Sequence, residues 1–124
     1  MAARSFRPRA QGSAIVNTNL PFLFLRARPK AESRDRFAEW FGDTHLRDVR
    51  RIPGIVGIQR GRTAGGVLLG VYTFGSAEVV QAGLSSPEAA YARGTWEQWA
   101  SELEELLIEM WAPISGIPAF ESIN

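Results

Sequence analysis

The chain contains a single histidine, His45, in a stretch whose spacing gives it the means to move a proton. If this stretch is helical, advancing about 100° per residue places His45 and Asp48 on the same face as Phe41. Residues three positions apart on a helix can touch, and a carboxylate that fixes the tautomer of an imidazole is a recurrent arrangement for a general base. The spacing therefore predicts His45 as a catalytic acid–base residue and Asp48 as the residue that orients its ring.

Three polar side chains, those of Thr44, His45 and Asp48, interrupt this otherwise apolar face. Burying them without partners would be costly, so we expect them to be hydrogen-bonded together or to line a cavity. The same pattern permits a structural role, in which Asp48 pairs with a neighbouring arginine and His45 is a satisfied core residue. The helix pattern alone leaves both interpretations open.

Tyr72 is the third candidate catalytic residue, in a stretch typical of a strand with Gly70 leaving space beside the ring. A buried tyrosine needs a hydrogen-bond partner, which would be a backbone group or the carbonyl of a substrate. In the second case the phenol would stabilise the charge that develops on an enolate. The residues expected to line the substrate site are Phe24, Trp40, Phe41, Thr44 and Phe74, four of them as apolar walls.

The composition limits what else the chain can do. It has no cysteine and one histidine, which excludes disulfides, thiolate chemistry and a histidine-rich metal site within one chain, and we predict no metal or cofactor. A net charge of +1 gives no overall attraction for nucleic acid or for a membrane. The longest apolar run, Phe22–Leu25, is too short to cross a bilayer, and the first residues lack the apolar core of a secretory signal. We expect a cytoplasmic protein with a flexible arm over residues 1–18 and one domain over residues 19–124.

The elements that must position these groups begin with a strand, a helix and a hairpin. Strands are predicted at 20–28, 54–62 and 67–74, the last two joined by a glycine-containing turn. A helix is predicted from the N-cap Ser33 to about Arg51, just before a Pro-Gly stop.

Helix signals follow the hairpin. Short helical pieces are predicted to begin at Ser76 and Ser86, and a longer helix over 95–111, opened by a capping-box pattern. The segment PAFESI, residues 118–123, is predicted as a last edge strand. The resulting β-α-β-β-α-β order is that of the split βαβ, ferredoxin-like α+β fold with an antiparallel sheet.

The strands carry apolar residues on both faces. In the first strand, Phe22 and Phe24 would share one face, and Leu23 and Leu25 the other. An antiparallel sheet covered by helices on one side should instead alternate apolar and polar residues, so the far face needs a cover. The simplest cover is the sheet of a second copy, which gives a homodimer with its sheets packed face to face.

The run F-x-x-W-F-x-x-x-H-L-x-D-V-x-x-I-P-G, residues 37–54, resembles the signature region of EthD-like proteins of the dimeric α+β barrel superfamily. The A-x-G-T-W pattern at 92–96 also fits, so the resemblance covers roughly residues 20–111. It departs from the family at Thr44, where an acidic residue is common, and at Arg47, where proline is frequent. The resemblance implies a ferredoxin-like protomer in a dimeric barrel that acts without a cofactor on small aromatic or polyketide-like compounds, with His45 as the acid–base residue.

These observations lead to one functional hypothesis with two alternatives. The hypothesis is a homodimeric, cofactor-independent cyclase, isomerase or lyase that acts on a hydrophobic aromatic or polyketide-type carbonyl compound by proton transfer through His45. The first alternative keeps the fold and substitutes a cofactor-free monooxygenase. The second is a non-enzymatic stress or accessory binding dimer, in which His45 is structural.

Overall fold

The computed structural model of the chain describes residues 19–114. It contains one antiparallel sheet of four strands: β1 (Phe22–Pro29), β2 (Ile55–Arg62), β3 (Leu68–Phe74) and β4 (Leu103–Trp111). The spatial order is β2-β3-β1-β4, and each neighbouring pair is antiparallel. This is the split βαβ order, so the predicted ferredoxin-like α+β fold is confirmed. The predicted arm over 1–18 and the predicted strand over 118–123 lie outside the described residues.

Two helical crossovers connect the strands. The first consists of a short 3₁₀ turn (Ala31–Ser33), helix α1 (Arg34–Trp40), a π-helical turn (Phe41–His45) and helix α2 (Leu46–Arg50). The second consists of a 3₁₀ turn (Ala77–Val79), helices α3 (Val80–Leu84) and α4 (Pro87–Gly94), and a 3₁₀ segment (Thr95–Trp99). The Ser86 hydroxyl caps α4 by accepting from the Ala89 backbone N–H at 3.1 Å, which confirms the helix start predicted there.

The π-helical turn widens the first crossover where it carries His45. Such turns are rare in proteins and are often found at functional sites. Gly42, inside the turn, lies against the Arg60 side chain: a Cβ there would stand 3.2 Å from Arg60 Nη1. The predicted helix over 33–51 is thus present, with an irregular middle.

The long helix predicted over 95–111 is wrong. Only Thr95–Trp99 is helical, as a 3₁₀ segment. A turn over residues 100–102 leads into β4, which pairs with β1 from Phe22↔Trp111 to Pro29↔Leu103. Apolar residues on both faces of a strand can imitate helical spacing over a short window, and periodicity alone does not separate the two. The β1 edge offers unpaired backbone groups to this segment, so pairing in the sheet decides its conformation over local propensity.

The core lies between the helices and one face of the sheet, and it is strongly aromatic. Phe37 is fully buried at its centre, with its ring centroid 5.1 Å from that of Trp99 in an edge-to-face contact. Leu25 and Ala27 of β1 supply the sheet side of the same cluster. Burying each large apolar side chain contributes roughly 1.5–3 kcal/mol, and aromatic pairs add geometric preference. This packing fixes the first crossover over the sheet and so determines where His45 points.

Candidate active site

His45, the last residue of the π-helical turn, meets Tyr72 of β3 at the interface between helix and sheet. Its Nε2 lies 2.7 Å from the Tyr72 phenolic oxygen, and the two residues are 3% and 1% exposed. Either the phenol donates to the lone pair of Nε2 or an Nε2–H donates to the phenolic oxygen, according to the imidazole tautomer. The bond satisfies two polar groups that are otherwise surrounded by apolar side chains.

The position of Tyr72 depends on the glycine two residues before it. Residues 70 and 72 project from the same face of β3, and the Tyr72 ring leans back over the backbone of Gly70. A Cβ at position 70 would lie 3.0 Å from Tyr72 Cε1 and 2.7 Å from Cζ, and the second distance is too short for a Cβ unless the ring moves. Gly70 therefore provides the space that lets the phenol reach His45, as its place in the sequence suggested.

Aromatic rings surround the imidazole. Trp40 and Phe41 lie nearly parallel to it, with centroids at 5.4 Å and 5.1 Å, and Trp96 meets it edge-on at 5.0 Å. Trp40 and Phe41, which were predicted as walls of the substrate site, thus pack against His45 itself. Rings stacked this closely fix the imidazole orientation and can stabilise a positive charge on it.

Burial sets the protonation of the pair. It lowers the pKa of His45 from 6.5 to about 4, because the charged form loses its hydration. Burial also raises the pKa of Tyr72 well above its ordinary value of 10, an effect that the positive charge of Arg60 partly opposes. At neutral pH the pair is therefore an uncharged imidazole and an uncharged phenol, which suits a base beside a hydrogen-bond donor.

A cavity of about 240 Å³ opens beside the pair. Its wall is apolar apart from three side chains, those of His45, Tyr72 and Arg93. The apolar wall comes from β1, α2, the second crossover and β4, and includes Leu25, Val49, Trp96 and Ile108. A concave apolar site with a few convergent polar groups is the usual form of a small-molecule site.

Asp48 is buried as predicted, at 3% exposure, but it does not bond to His45. Within residues 19–114, His45 Nδ1 and Asp48 Oδ2 are both buried without a hydrogen-bond partner, and His45 Nε2 is bonded to Tyr72. Asp48 instead lines a second cavity, also of about 240 Å³, against Glu88 and Tyr91 of α4. The orienting contact predicted from the i, i+3 spacing is not formed, because the carboxylate borders the cavity next to α4 while the imidazole bonds to the sheet.

None of the five residues predicted at the substrate site lines the cavity. Trp40 and Phe41 contact the His45 ring but not the cavity, and the other three lie elsewhere. Phe24 lies opposite Val71 and Glu109 on the far face of the sheet, because strand alternation turns its neighbours Leu23 and Leu25 towards the helices. Phe74 is on the helix side but packs beside Gly83, where a Cβ would lie 2.9 Å from its Cε1. Thr44 is only half-buried, on the outer part of the π-helical turn.

Of the residues in the wall, only His45 and Tyr72 were predicted at the site, and the others, among them Arg93, Trp96 and Ile108, were missed. Trp96 stands in the A-x-G-T-W pattern that supported the family resemblance, which was a usable signal for the site. Ile108 was hidden by the wrong helix, because its place opposite Leu25 exists only once residues 103–111 form a strand.

Two further properties concern residues 19–114 only. Among them, no three His, Asp or Glu side chains are grouped so that they could hold a metal ion. No helix in this range is long and apolar enough to cross a membrane.

Comparison with known proteins identifies the fold. No protein-family model matches the sequence, and no curated protein matches it. Among solved structures, an ethyl tert-butyl ether D (EthD) family protein from Bacillus halodurans is similar, with a TM-score of 0.63 and 18% identity over 77% of this chain and 100% of that one. A proposed antibiotic biosynthesis monooxygenase from Deinococcus radiodurans has a TM-score of 0.59 and 12% identity, over 80% of this chain and 97% of its own. Another, from Nitrosomonas europaea, has a TM-score of 0.56 and 13% identity, over 84% and 99%.

The class of protein follows from these likenesses. The chain is an α+β protein with the ferredoxin-like fold that EthD family and antibiotic biosynthesis monooxygenase-like structures share. The resemblance to EthD-like proteins that residues 37–54 indicated is therefore confirmed for the fold. At such low identities the likeness establishes the fold alone, and the activity must be argued from the site.

Proposed function

We propose that this protein is an enzyme that transfers a proton next to a carbonyl group of a small hydrophobic aromatic or polyketide-type compound. The reaction class is cyclisation, isomerisation or a lyase reaction that passes through an enolate, and the residues that carry it need no cofactor. The supporting observation is the hydrogen-bonded pair of His45 and Tyr72 in the wall of an otherwise apolar cavity.

The free enzyme holds the pair in a resting arrangement, with the Tyr72 phenol hydrogen-bonded to His45 Nε2. A substrate carbonyl that enters the cavity competes for the phenol as an acceptor. When the phenol turns to the carbonyl oxygen, the lone pair of Nε2 is released beside the adjacent carbon. Because burial keeps the pKa of Tyr72 high, the phenol donates a hydrogen bond without losing its proton.

The chemical step then moves one proton and one electron pair. The bond from hydrogen to the carbon next to the carbonyl breaks, an N–H bond forms at Nε2, and the electron pair moves onto the carbonyl oxygen as an enolate. Return of the proton from the imidazolium to a neighbouring carbon gives isomerisation, and delivery of a solvent-derived proton to the original carbon gives exchange. Attack by the enolate on a second carbonyl gives cyclisation, and the imidazolium then returns its proton to the alkoxide that forms. The low pKa of the free imidazole makes it a weak base, but the enolate opposite it favours the imidazolium.

The aromatic rings have a part in this step. An imidazolium in an apolar cavity is costly without compensation. Trp40 and Phe41 present their ring faces to His45 at centroid distances of 5.4 Å and 5.1 Å, where cation–π attraction offsets some of that cost. Asp48 has no direct bond to the imidazole, so we assign it a smaller role than the sequence predicted.

We also propose that the protein is a homodimer through the far face of its sheet. Phe22, Phe24, Leu69 and Val71 alternate away from the helices and are only partly buried in one chain. At one edge of this face, Trp111 is 53% exposed and stacks on Phe22 at 6.0 Å. A second copy would cover these apolar side chains, as the two-sided strands suggested.

Deuterium exchange tests the proposed chemistry without knowledge of the natural substrate. Beta-tetralone, a bicyclic aromatic ketone, is incubated in deuterated buffer, and exchange at the carbons next to its carbonyl is followed by NMR. We expect the wild-type protein to accelerate exchange and His45→Gln to lose about 100-fold of that acceleration or more. Tyr91→Phe, at an exposed tyrosine outside the cavity, is the matched control and should exchange at the wild-type rate.

Equal acceleration by the wild type and His45→Gln would contradict the proposal. Oxygen consumption during turnover of an aromatic polyketide would instead favour the monooxygenase alternative. Binding of such compounds in the cavity without exchange or oxygen uptake would favour the binding-protein alternative.

A further inference from the structure

Among the described residues, one formally charged side chain, that of Arg93, lies in the wall of the cavity beside His45 and Tyr72. Arg93 lies in the last turn of α4 and is exposed to solvent. It also lines an adjoining groove together with Trp96, Leu106 and three carboxylates, those of Glu97, Glu104 and Glu105, none of which forms an ion pair with it among the described residues. The guanidinium therefore stands where the cavity meets solvent, with the neutral pair of His45 and Tyr72 in the wall of the same cavity. One cation in an otherwise apolar wall can distinguish the two ends of a ligand.

The Arg93 side chain is anchored but not neutralised. Its Nη1 donates to the backbone oxygen of Leu84 at 3.1 Å, which ties it to the end of α3. Within residues 19–114 the ion pairs join Arg26 and Arg28 to Glu105 and Arg36 to Glu102, so no carboxylate pairs with Arg93. A guanidinium has five N–H donors in a planar fork that matches a carboxylate. Apart from the bond to Leu84, these donors have no partner among the described residues and are available to a ligand.

We propose that the ligand of this cavity is a hydrophobic carboxylate and that Arg93 determines this specificity. An aromatic body would lie against Leu25, Trp96 and Ile108, its carboxylate would bind the Arg93 guanidinium, and its reacting carbonyl would reach Tyr72. The inference rests on the proposed function of the same cavity. It adds that the substrate carries a negative charge and that Arg93 is the residue that binds this charge. Arg93 binds and orients in this account and takes no part in proton transfer.

The size of the effect follows from the position of Arg93. A bidentate hydrogen bond between a guanidinium and a carboxylate is stronger than one between neutral groups, but solvent at the mouth of the cavity screens it. We therefore expect a preference of roughly tenfold for an anion over a neutral ligand of the same shape. The preference should weaken at high salt, because the pair is partly exposed.

Two probes of nearly equal shape, naphthoate and naphthamide substituted at the same ring position, isolate the charge. Their dissociation constants are measured by NMR from the ring signals of His45, which is the only histidine of the chain and so reports on this cavity alone. Wild-type protein should bind naphthoate about tenfold more tightly than naphthamide. Arg93→Gln should remove that preference and leave naphthamide binding unchanged, and Arg93→Lys should keep part of it.

Arg47→Gln is the matched control, because Arg47 is an exposed arginine of α2 that does not line the cavity, and it should keep the full preference. Equal binding of the two probes to wild-type protein, a preference that survives Arg93→Gln, or failure of both probes to shift the His45 signals would each overturn the inference. The deuterium exchange of beta-tetralone, which carries no carboxylate, is measured in parallel on the wild-type protein and on the Arg47→Gln control, and it tests proton transfer by His45 alone. Failure of the carboxylate preference is therefore distinguishable from failure of the proton-transfer chemistry.

Discussion

The two faces of the sheet are built from alternate residues of the same strands, yet they present different groups. The face towards the helices combines apolar residues such as Leu25 with the phenol of Tyr72, which is hydrogen-bonded to His45 of the first crossover. The far face carries Phe24 beside Val71 at its centre, and its polar contacts are the ion pairs of Arg26 and Arg28 with Glu105 near one end.

The difference between the two faces fits the two proposed roles of the sheet, which are an active site on one face and a dimer surface on the other. A buried polar group in a strand needs a partner, and only the face covered by helices can supply one from the same chain. Within residues 19–114 no helix covers the far face, and Phe24 and Val71 at its centre are apolar, which favours association over chemistry. Val71 and Tyr72 are neighbours in β3 but point to opposite faces of the sheet, so one lies on the proposed dimer surface and the other at the proposed active site.

The largest effect is expected from a charge placed in the centre of the far face. Phe24→Glu would require a dimer to bury an unpaired carboxylate, at a cost of several kcal/mol, so we expect it to convert the dimer to monomers. Size-exclusion chromatography with light scattering measures the mass directly. Tyr91→Glu makes the same kind of change on exposed α4 and should remain dimeric. A wild-type protein that is monomeric at micromolar concentration would contradict the assignment of this face.

On the helix-facing side, the buried His45 should make the free energy of unfolding depend on pH. The pKa of His45 is about 4 in the folded chain and 6.5 when exposed, so between these values the unfolded chain binds more protons than the folded one. The free energy of unfolding should therefore fall as the pH is lowered from 6.5 to 4, by roughly 3 kcal/mol in full. Denaturant titrations of wild type and His45→Asn measure this, and the difference in slope isolates His45. Parallel pH profiles for the two proteins would show that the imidazole is not buried uncharged.

A smaller effect is expected from the glycine that makes room for the phenol. Gly70→Ala would force a methyl group against Tyr72 Cζ, at a cost of about 1–3 kcal/mol, and would displace the phenol from His45. Gly61→Ala in β2 is the matched control, because a Cβ there meets nothing within 4 Å. We expect Gly70→Ala to lower both stability and deuterium exchange, and Gly61→Ala to lower neither appreciably. Equal deuterium exchange rates in the two variants would contradict the role of Gly70 in positioning Tyr72 at the site.

Much of the architecture followed from local signals in the sequence. The hairpin of β2 and β3 and the burial of His45 and Asp48 were predicted, because turn residues and helical spacing express themselves over a few positions. The position of β4 was missed, since its two-sided apolar pattern resolves into a strand only when β1 is present as its partner.

The site itself depended on information that one sequence does not hold. The contact of His45 with Tyr72 joins residues 27 positions apart through a crossover, so no local pattern records it. Strand alternation showed which residues share a face, but not which face meets the helices, and Phe24 was therefore placed in the site wrongly. Asp48 was given the correct burial and the wrong neighbour for the same reason.

The central claim is that His45 is a buried, uncharged imidazole bonded through Nε2 to Tyr72. Its nitrogen resonances test this directly, because the only histidine of the chain gives an unambiguous signal in an NMR pH titration. We predict a pKa of about 4 and, in Tyr72→Phe, a change in the Nε2 resonance larger than that of Nδ1. A pKa near 6.5 together with nitrogen shifts that ignore the loss of the Tyr72 hydroxyl would contradict the account.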